Sequence, residues 1–205
     1  MKFEEFYKKY FGTSHDDFYV FAKEGLAKMR QSLDSIHAES HVENLLGYLN
    51  EFLIRHKKLK KRLNMESLFL AICWHDVWKS ERDPKNLLQI FWGQIAEGFL
   101  ASRIFNKEAK KYSVDKKIVA EASYTIRKHN PFQVLRRKSP ESKLFNDIDR
   151  LDTVNAERFT HSRNKKLIRF YISKISKDHF YYSWAREVFR EKRGDFLKKF
   201  TNFDS

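Results

Sequence analysis

The chain has 205 residues, enough for one domain with a substantial core and short for two. Six glycines, three prolines and many helix-forming residues argue against a sheet protein with many turns, so an all-α fold is expected. The formal charge of +14 fits either a well-solvated basic surface or attraction for polyanions such as phosphorylated substrates and nucleic acid.

The sequence carries no sign of export or of membrane insertion. Its first residues, MKFEEFYKKYF, include early acidic residues and no apolar signal region. The longest apolar run, Leu68–Trp74, is too short to cross a bilayer. The single cysteine, Cys73, argues against a disulfide framework and suggests a reducing compartment. A cytoplasmic protein is therefore expected.

Predicted helices follow one another along the chain, with no repeat and no linker that would divide it. In chain order they are expected near residues 3–11, 14–33, 37–59, 64–79, 87–110, 115–129, 140–154, 156–174 and 177–201. Ser14, Asn64, Asp115 and Ser139 are expected to cap the N-termini of four of these helices. The sequence therefore predicts one helical domain over residues 1–205.

The segment from Asn64 to Lys79, NMESLFLAICWHDVWK, is apolar on nearly every side, which is typical of a helix at the centre of a bundle. At its far end stand two polar residues, His75 and Asp76. Burying a carboxylate beside an imidazole is costly unless both have a partner, and a metal ion is one such partner. The pair therefore indicates a metal site whose other ligands come from neighbouring helices.

Two further residues have the position that a metal ligand needs. His41 lies beside the apolar stripe of the third predicted helix, and Asp149 shares a helix face with Phe145 and Asp152. Taken alone, His41 is explained as an ordinary histidine and Asp149 as a solvated carboxylate. Together with the pair at 75–76 they form two imidazoles and two carboxylates. This set suits manganese, iron, nickel, cobalt or magnesium better than structural zinc.

Two other motifs of the same residue types have different explanations. The pair His15-Asp16 lies in the polar segment SHDDF and is interpreted as part of a helix N-terminus. The segment HAESH at residues 37–41 has the histidine spacing of a zinc protease, but Ala38 stands where such an enzyme has its general base. His37 is therefore expected near the mouth of the site.

The order of these residues resembles the HD-domain superfamily of metal-dependent phosphohydrolases. The matching pieces are His41 in HAESHVENLL, His75-Asp76 in LAICWHDVWK and Asp149 in NDIDRLDTV, and they cover about residues 35–155. The resemblance implies a bundle of α-helices around one metal held by these four side chains. The helices of residues 156–201 are expected to pack on this core.

The sequence departs from the family's pattern at places that bear on the site. Trp78 stands where the family often has glycine, although Lys79 is kept, and Glu43-Asn44 stands where an arginine often follows the first histidine. Some branches hold two metals through additional histidines, whereas this chain offers only His129 in that region. One tightly held metal is therefore expected, with His129 facing the substrate.

The resemblance implies hydrolysis of a small phosphate ester, and a nucleotide is the favoured substrate. The metal would lower the pKa of a bound water and polarise a phosphoryl oxygen. The expected catalytic residues are Asp76, Lys79 and His129. Lys79 would hold a phosphate by its charge, and His129 would transfer a proton or bind the phosphate. The alternative explanation is an exposed helix end for Lys79 and a helix terminus next to Pro131 for His129.

A function in a different class is a basic nucleic-acid-binding helical protein with a non-catalytic HD site. The basic residues form only short clusters, at 57–62, 136–138 and 163–166, and no single stripe. This spread favours small anionic substrates over a long duplex. In the middle cluster, Arg136, Arg137 and Lys138 would gather anionic substrate or form a basic surface loop.

Overall fold

Nine helices and no strand make up the part of the chain that the structure describes. The structure is a computed structural model, and it describes residues 1–30, 39–78, 87–129, 136–155 and 179–201. The helices are α1 (Phe3–Tyr10), α2 (Asp17–Arg30), α3 (Glu39–Arg55), α4 (Lys57–Lys60), α5 (Met65–Trp74), α6 (Leu87–Ala109), α7 (Lys116–Arg127), α8 (Pro140–Asp152) and α9 (Ser183–Thr201). The expected all-α fold is confirmed. Among these helices, none combines the length and the apolar character that a membrane span requires.

Helix α5 lies at the centre, and other helices pack around it. Every residue from Ser67 to Trp74 is buried, and α2, α3, α7 and α8 all contact this helix. Burying a large apolar side chain contributes about 1.5–3 kcal/mol relative to leaving it exposed. A helix that is apolar all round therefore gains most when neighbours cover every side, which explains the central position predicted from the sequence.

Three of the four predicted caps are confirmed. The side chains of Asn64, Asp115 and Ser139 accept hydrogen bonds from backbone amides in the first turns of α5, α7 and α8. Each such cap satisfies an amide that has no partner within the helix and contributes about 1 kcal/mol. These caps fix where the three helices that surround the site begin.

The fourth cap was wrongly predicted, because α2 begins later than Ser14 suggests. Asp16 is the capping residue: its Oδ1 accepts a hydrogen bond from the backbone amide of Tyr19 at 3.1 Å. The same oxygen also accepts from the hydroxyl of Tyr7 at 3.3 Å. The pair His15-Asp16 thus belongs to a helix N-terminus, as the sequence indicates.

Two predicted helices are shorter than expected. The helix over residues 37–59 is divided at His56 into α3 and α4. The central helix ends before its polar pair, so His75 and Asp76 occupy the turn that follows α5. Nδ1 of His75 donates to a backbone carbonyl one turn back, which satisfies an acceptor left over at the helix end. The pair is therefore presented at the tip of a rigid, buried helix.

The C-terminal helix α9 is attached to the helices that carry the site. Asp147 of α8 is fully buried and accepts hydrogen bonds from the backbone amides of Tyr181 and Tyr182 at 2.9 and 2.8 Å. Burial raises the pKa of Asp147 to about 6. On the other side, the indole of Trp184 donates to Glu51 of α3 at 3.1 Å. Helix α9 thus packs beside both α3 and α8. The predicted helix at 156–174 lies outside the described residues.

Candidate metal centre

Three helices bring buried histidine and acidic side chains to one place. His41 comes from α3, His75 and Asp76 follow α5, and Asp149 comes from α8. The Nε2 atoms of His41 and His75 are 3.0 Å apart. His41 Nε2 is 3.6 Å from Asp149 Oδ1, and His75 Nε2 is 3.4 Å from Asp76 Oδ2. The structure therefore brings His41, His75 and Asp76 together and places Asp149 beside His41. Lys79 and His37 lie outside the described residues.

The burial of these side chains is uneven. His41, His75 and Asp76 are at most 3% exposed. The side chain of Asp149 is 19% exposed, so solvent reaches the cluster on this side. A small molecule would therefore approach the cluster past Asp149.

The imidazole rings of His41 and His75 both turn Nε2 toward the centre of the cluster. Nδ1 of His41 donates to Asp152 Oδ2 at 2.6 Å, and Nδ1 of His75 donates to the Ile72 carbonyl at 2.9 Å. Burial lowers the pKa of His75 to about 3, so this ring is neutral near pH 7. Because Nδ1 carries the proton, each Nε2 presents a lone pair. Two lone pairs facing each other across 3.0 Å repel unless a proton or a metal ion lies between them.

The separations between these ligand atoms fit one metal ion. Atoms about 2.1 Å from an ion are about 3.0 Å apart when at right angles and about 4.2 Å apart when opposite. Among His41, His75 and Asp76 the separations run from 3.0 Å to the 4.0 Å between His41 Nε2 and Asp76 Oδ2. Imidazole nitrogen and carboxylate oxygen also form a ligand set that divalent transition metals accept. The cluster could therefore hold a metal ion.

A second group of buried residues shares Asp76 with the first. Asp76, Glu97 of α6 and His129 have ligand atoms that all lie within 4.8 Å of one another. Nε2 of His129 is 3.8 Å from both Asp76 Oδ1 and Glu97 Oε1. Nδ1 of His129 donates to the Ile126 carbonyl at 2.6 Å, which turns Nε2 toward the two carboxylates. This second group could also hold a metal ion.

The charge on His129 depends on its neighbours. Burial alone lowers the pKa of this ring, but the nearby carboxylates of Glu97, Asp76 and Asp149 outweigh burial, and the net shift of the pKa is upward. Two buried carboxylates favour a positive charge between them. That charge can be a proton on His129 or a bound cation.

Two residues of the site were not assigned these roles from the sequence, Asp152 and Asn44. The sequence places Asp152 only on the same helix face as Asp149, and Asn44 appears only as a departure from a family pattern. In the structure, Asp152 is fully buried and accepts from His41 and from Asn44 Nδ2, the latter at 2.9 Å. The spacing of these residues could have indicated their roles. Asn44 follows His41 by three residues and Asp152 follows Asp149 by three, and residues three apart lie on the same face of a helix.

Glu97 was missed entirely. It is 2% exposed and lies in the apolar segment QIAEGFL. Ala101 and Phe105, four and eight residues on, are also buried, so Glu97 stands on the buried stripe of α6. A carboxylate on such a stripe is the signal that could have found this residue, because a buried acid needs a partner.

The basic cluster at 136–138 does not act as one unit. Arg136 and Lys138 are exposed, as a surface loop or a substrate-gathering loop requires. Arg137 fits neither expectation, because it is only 6% exposed and donates from Nη2 to the His129 carbonyl at 3.4 Å. Arg137 therefore supports the backbone that carries His129.

His41, His75 and Asp76 thus form a buried group that could hold a metal ion, and Asp149, which is 19% exposed, lies 3.6 Å from His41 at its solvent side. Comparisons of the chain with models of known protein families, with curated proteins and with solved structures found no match. The function is therefore argued from the arrangement of these residues and from their chemistry.

Proposed function

We propose that the protein is a metal-dependent phosphohydrolase of the HD type that acts on a small phosphate ester, with a nucleotide as the favoured class of substrate. One observation carries the proposal: the Nε2 atoms of His41 and His75 face each other at 3.0 Å beside two carboxylates. Phosphate-ester hydrolysis is a reaction for which metal ions held in this way are suited.

The ion would be held by His41, His75, Asp76 and Asp149, and manganese, iron, nickel, cobalt and magnesium all suit these ligands. When bound, it supplies Lewis acidity for a phosphoryl oxygen and acidifies a water molecule. Asp152 contributes by accepting the Nδ1 proton of His41, because this bond keeps Nε2 available and fixes the ring.

His129 is the proposed proton donor to the leaving oxygen. Its Nε2 is 3.8 Å from Asp76, so it lies at the edge of the ligand group without being one of the four ligands. Glu97 lies 3.8 Å from the same nitrogen and favours the protonated ring. A donor that is charged and adjacent to the reacting phosphate has the placement that general acid catalysis requires. Lys79 is proposed to bind the phosphate by its charge.

The experiment is a measurement of metal content followed by an activity screen. We expect the purified protein to contain about one divalent metal ion per chain, held by the two histidines and two aspartates. A panel of phosphorylated metabolites, tested with Mn²⁺, Fe²⁺, Ni²⁺, Co²⁺ and Mg²⁺, is expected to reveal release of inorganic phosphate or of a nucleotide product. No bound metal and no turnover with any pair of metal and substrate would contradict the proposal.

A second candidate is a nucleic-acid-binding protein whose site is not catalytic. It is favoured by the exposed basic helix α4, where Lys57, Lys58 and Lys60 all lie within four residues and no residue is buried. Such a protein would bind oligonucleotides without turnover. If six phosphates were contacted, affinity would fall roughly a thousandfold between 50 and 200 mM salt. Weak binding with no sequence preference is expected instead.

A further inference from the structure

A groove of about 600 Å³ lies between Trp78 and the exposed side of α6. Its volume falls in the range of about 300–1,000 Å³ that is usual for small-molecule sites. Among the described residues, the groove is lined by cationic, apolar and amide side chains and by no carboxylate: Trp78, Leu100, Arg103, Ile104, Asn106, Lys107 and Lys110. Its lining therefore selects for an anion that also has an apolar part.

Two of the three cations of the groove lie one turn apart on the same helix. Lys107 follows Arg103 by four residues, so both project to the same side of α6, and Lys110 follows directly after the end of this helix. They are exposed, and within the described ranges none of them forms an ion pair. Neighbouring cations of like charge repel one another, and a bound polyanion such as a diphosphate relieves this repulsion.

The apolar part of the groove contains an aromatic ring. Trp78 is half-buried, lines the groove and packs against the core together with Ile104. Leu100 lies next to them on the same side of α6. An indole beside aliphatic side chains suits a planar ring system, because every nucleotide base has a face that can stack on an aromatic side chain.

Two residues of the groove are close in sequence to residues of the candidate metal centre: Trp78 follows Asp76 by two residues, and Leu100 follows Glu97 by three.

We propose that this groove binds the ring and the phosphates of a nucleotide, with the ring against Trp78 and the phosphates on Arg103 and Lys107. That the bound nucleotide is also hydrolysed rests on the function proposed above. The binding site itself does not depend on turnover.

The test compares ligands that share phosphates and differ in the ring. ADP, inorganic pyrophosphate and a single-stranded oligonucleotide are titrated into the full-length protein by calorimetry, and the quenching of tryptophan fluorescence by ADP is followed in parallel. ADP is expected to bind about tenfold more tightly than pyrophosphate, because only ADP offers a ring to stack. Equal affinities, or a preference for the oligonucleotide, would overturn the proposal.

Variants locate the site. Reversing two exposed charges, Arg103→Glu with Lys107→Glu, is expected to lower the affinity for both ADP and pyrophosphate by about tenfold or more. Trp78→Leu is expected to lower the affinity for ADP alone. Lys57→Glu with Lys58→Glu on α4 is the matched control, since it removes the same charge from another exposed helix. If Trp78→Leu lowers thermal stability, the charge-reversed variant alone tests whether the groove binds ADP, because its substituted side chains are exposed.

The outcomes separate the site from the reaction. Binding of ADP that is lost in the charge-reversed variant, in a protein that hydrolyses no phosphate ester, supports the groove and overturns the proposed function. If the protein shows metal-dependent hydrolysis and both groove variants bind ADP as tightly as the wild type, the proposed binding site is overturned and the proposed function is supported.

Discussion

His41 and Asp152 are 111 residues apart in the sequence and are joined by a hydrogen bond of 2.6 Å between Nδ1 and Oδ2. The second oxygen of Asp152 accepts a hydrogen bond from Asn44 at 2.9 Å. The carboxylate is fully buried, so both bonds lie in a region of low dielectric, where they are strong. Asp152 thereby fixes both the proton and the ring orientation of His41 and joins α3 to α8 at the candidate metal centre.

Asp152→Asn is expected to lower the affinity for the metal by about 10–100-fold while leaving the fold intact. The amide has the shape of the carboxylate but carries no charge, so it supports the His41 ring less strongly. Competition with a chelator measures the affinity. Asp195→Asn, at an exposed position of α9, is the matched control and is expected to bind metal like the wild type. Unchanged affinity in both variants would show that His41 does not bind the ion.

The two His-Asp pairs of the chain allow a direct comparison. Asp76→Ala is expected to abolish metal retention and hydrolysis together, because the lost carboxylate belongs to the ligand group. Asp16→Ala removes a helix cap and is expected to keep full activity at a cost of about 1 kcal/mol in unfolding free energy. Metal content, phosphate release and urea denaturation are measured on both. Equal loss of activity in the two variants would refute the choice of Asp76.

Much of the scaffold around the site follows from the sequence. The all-round apolar character of residues 64–79 predicts a central helix, because only burial on every side stabilises such a segment. Asn64 and Ser139 are recognisable as caps because the capping bond is local, within three residues of chain. His41, His75 and Asp76, which the structure brings together, could be grouped beforehand because the buried pair at 75–76 requires a partner and because the order of the residues matches a known pattern.

Other features could not be predicted, because they depend on how distant segments meet. The sequence shows that Asp152 and Asp149 share a helix face, but not that only one of them meets Nδ1 of His41. Nothing local distinguishes Arg137, which is buried, from Arg136, which is exposed. The end of α5 before His75 was also missed, since its cause is a side-chain bond to a backbone carbonyl rather than a breaking residue.

The number of bound metal ions distinguishes two roles of His129. If His129 faces the substrate, His129→Gln and Glu97→Gln are expected to leave about one ion per chain and to lower kcat, because the proton donor or its partner is changed. Elemental analysis and steady-state kinetics measure both quantities. A fall from two ions to one in either variant would contradict this role and would place a second ion between Asp76, Glu97 and His129.

Arg136 and Arg137 are neighbours with different environments, and their alanine variants are expected to have different effects on kinetics and stability. Arg136→Ala removes an exposed charge and is expected to raise KM at most, with kcat unchanged. Arg137→Ala removes the donor to the His129 carbonyl and is expected to destabilise the fold by about 1.5–3 kcal/mol and to lower kcat. Kinetics and urea denaturation test both. Identical effects of the two changes would contradict the structural role of Arg137.

Gly98 allows α6 to approach α7 where the two helices carry Glu97 and lead to His129. A Cβ atom at Gly98 would lie 2.7 Å from the Arg127 carbonyl oxygen and 3.0 Å from that of Ile126. Both are backbone atoms at the end of α7, so they cannot move aside as a flexible side chain can. The Ile126 carbonyl also accepts the hydrogen bond from Nδ1 of His129. A methyl group at residue 98 would therefore disturb the ring that faces Asp76.

Gly98→Ala is expected to destabilise the protein by about 1–3 kcal/mol, as overpacking does, and to lower kcat while the ion at His41 and His75 is retained. Gly194→Ala is the control. Gly194 lies within α9 with no atom within 4 Å of an added Cβ, so alanine is expected to stabilise the helix by about 0.5–1 kcal/mol. Urea denaturation, metal content and kcat are measured on both variants. If both changes stabilise the protein equally, α6 and α7 do not approach closely at Gly98. That outcome would also contradict the position of Glu97 beside His129.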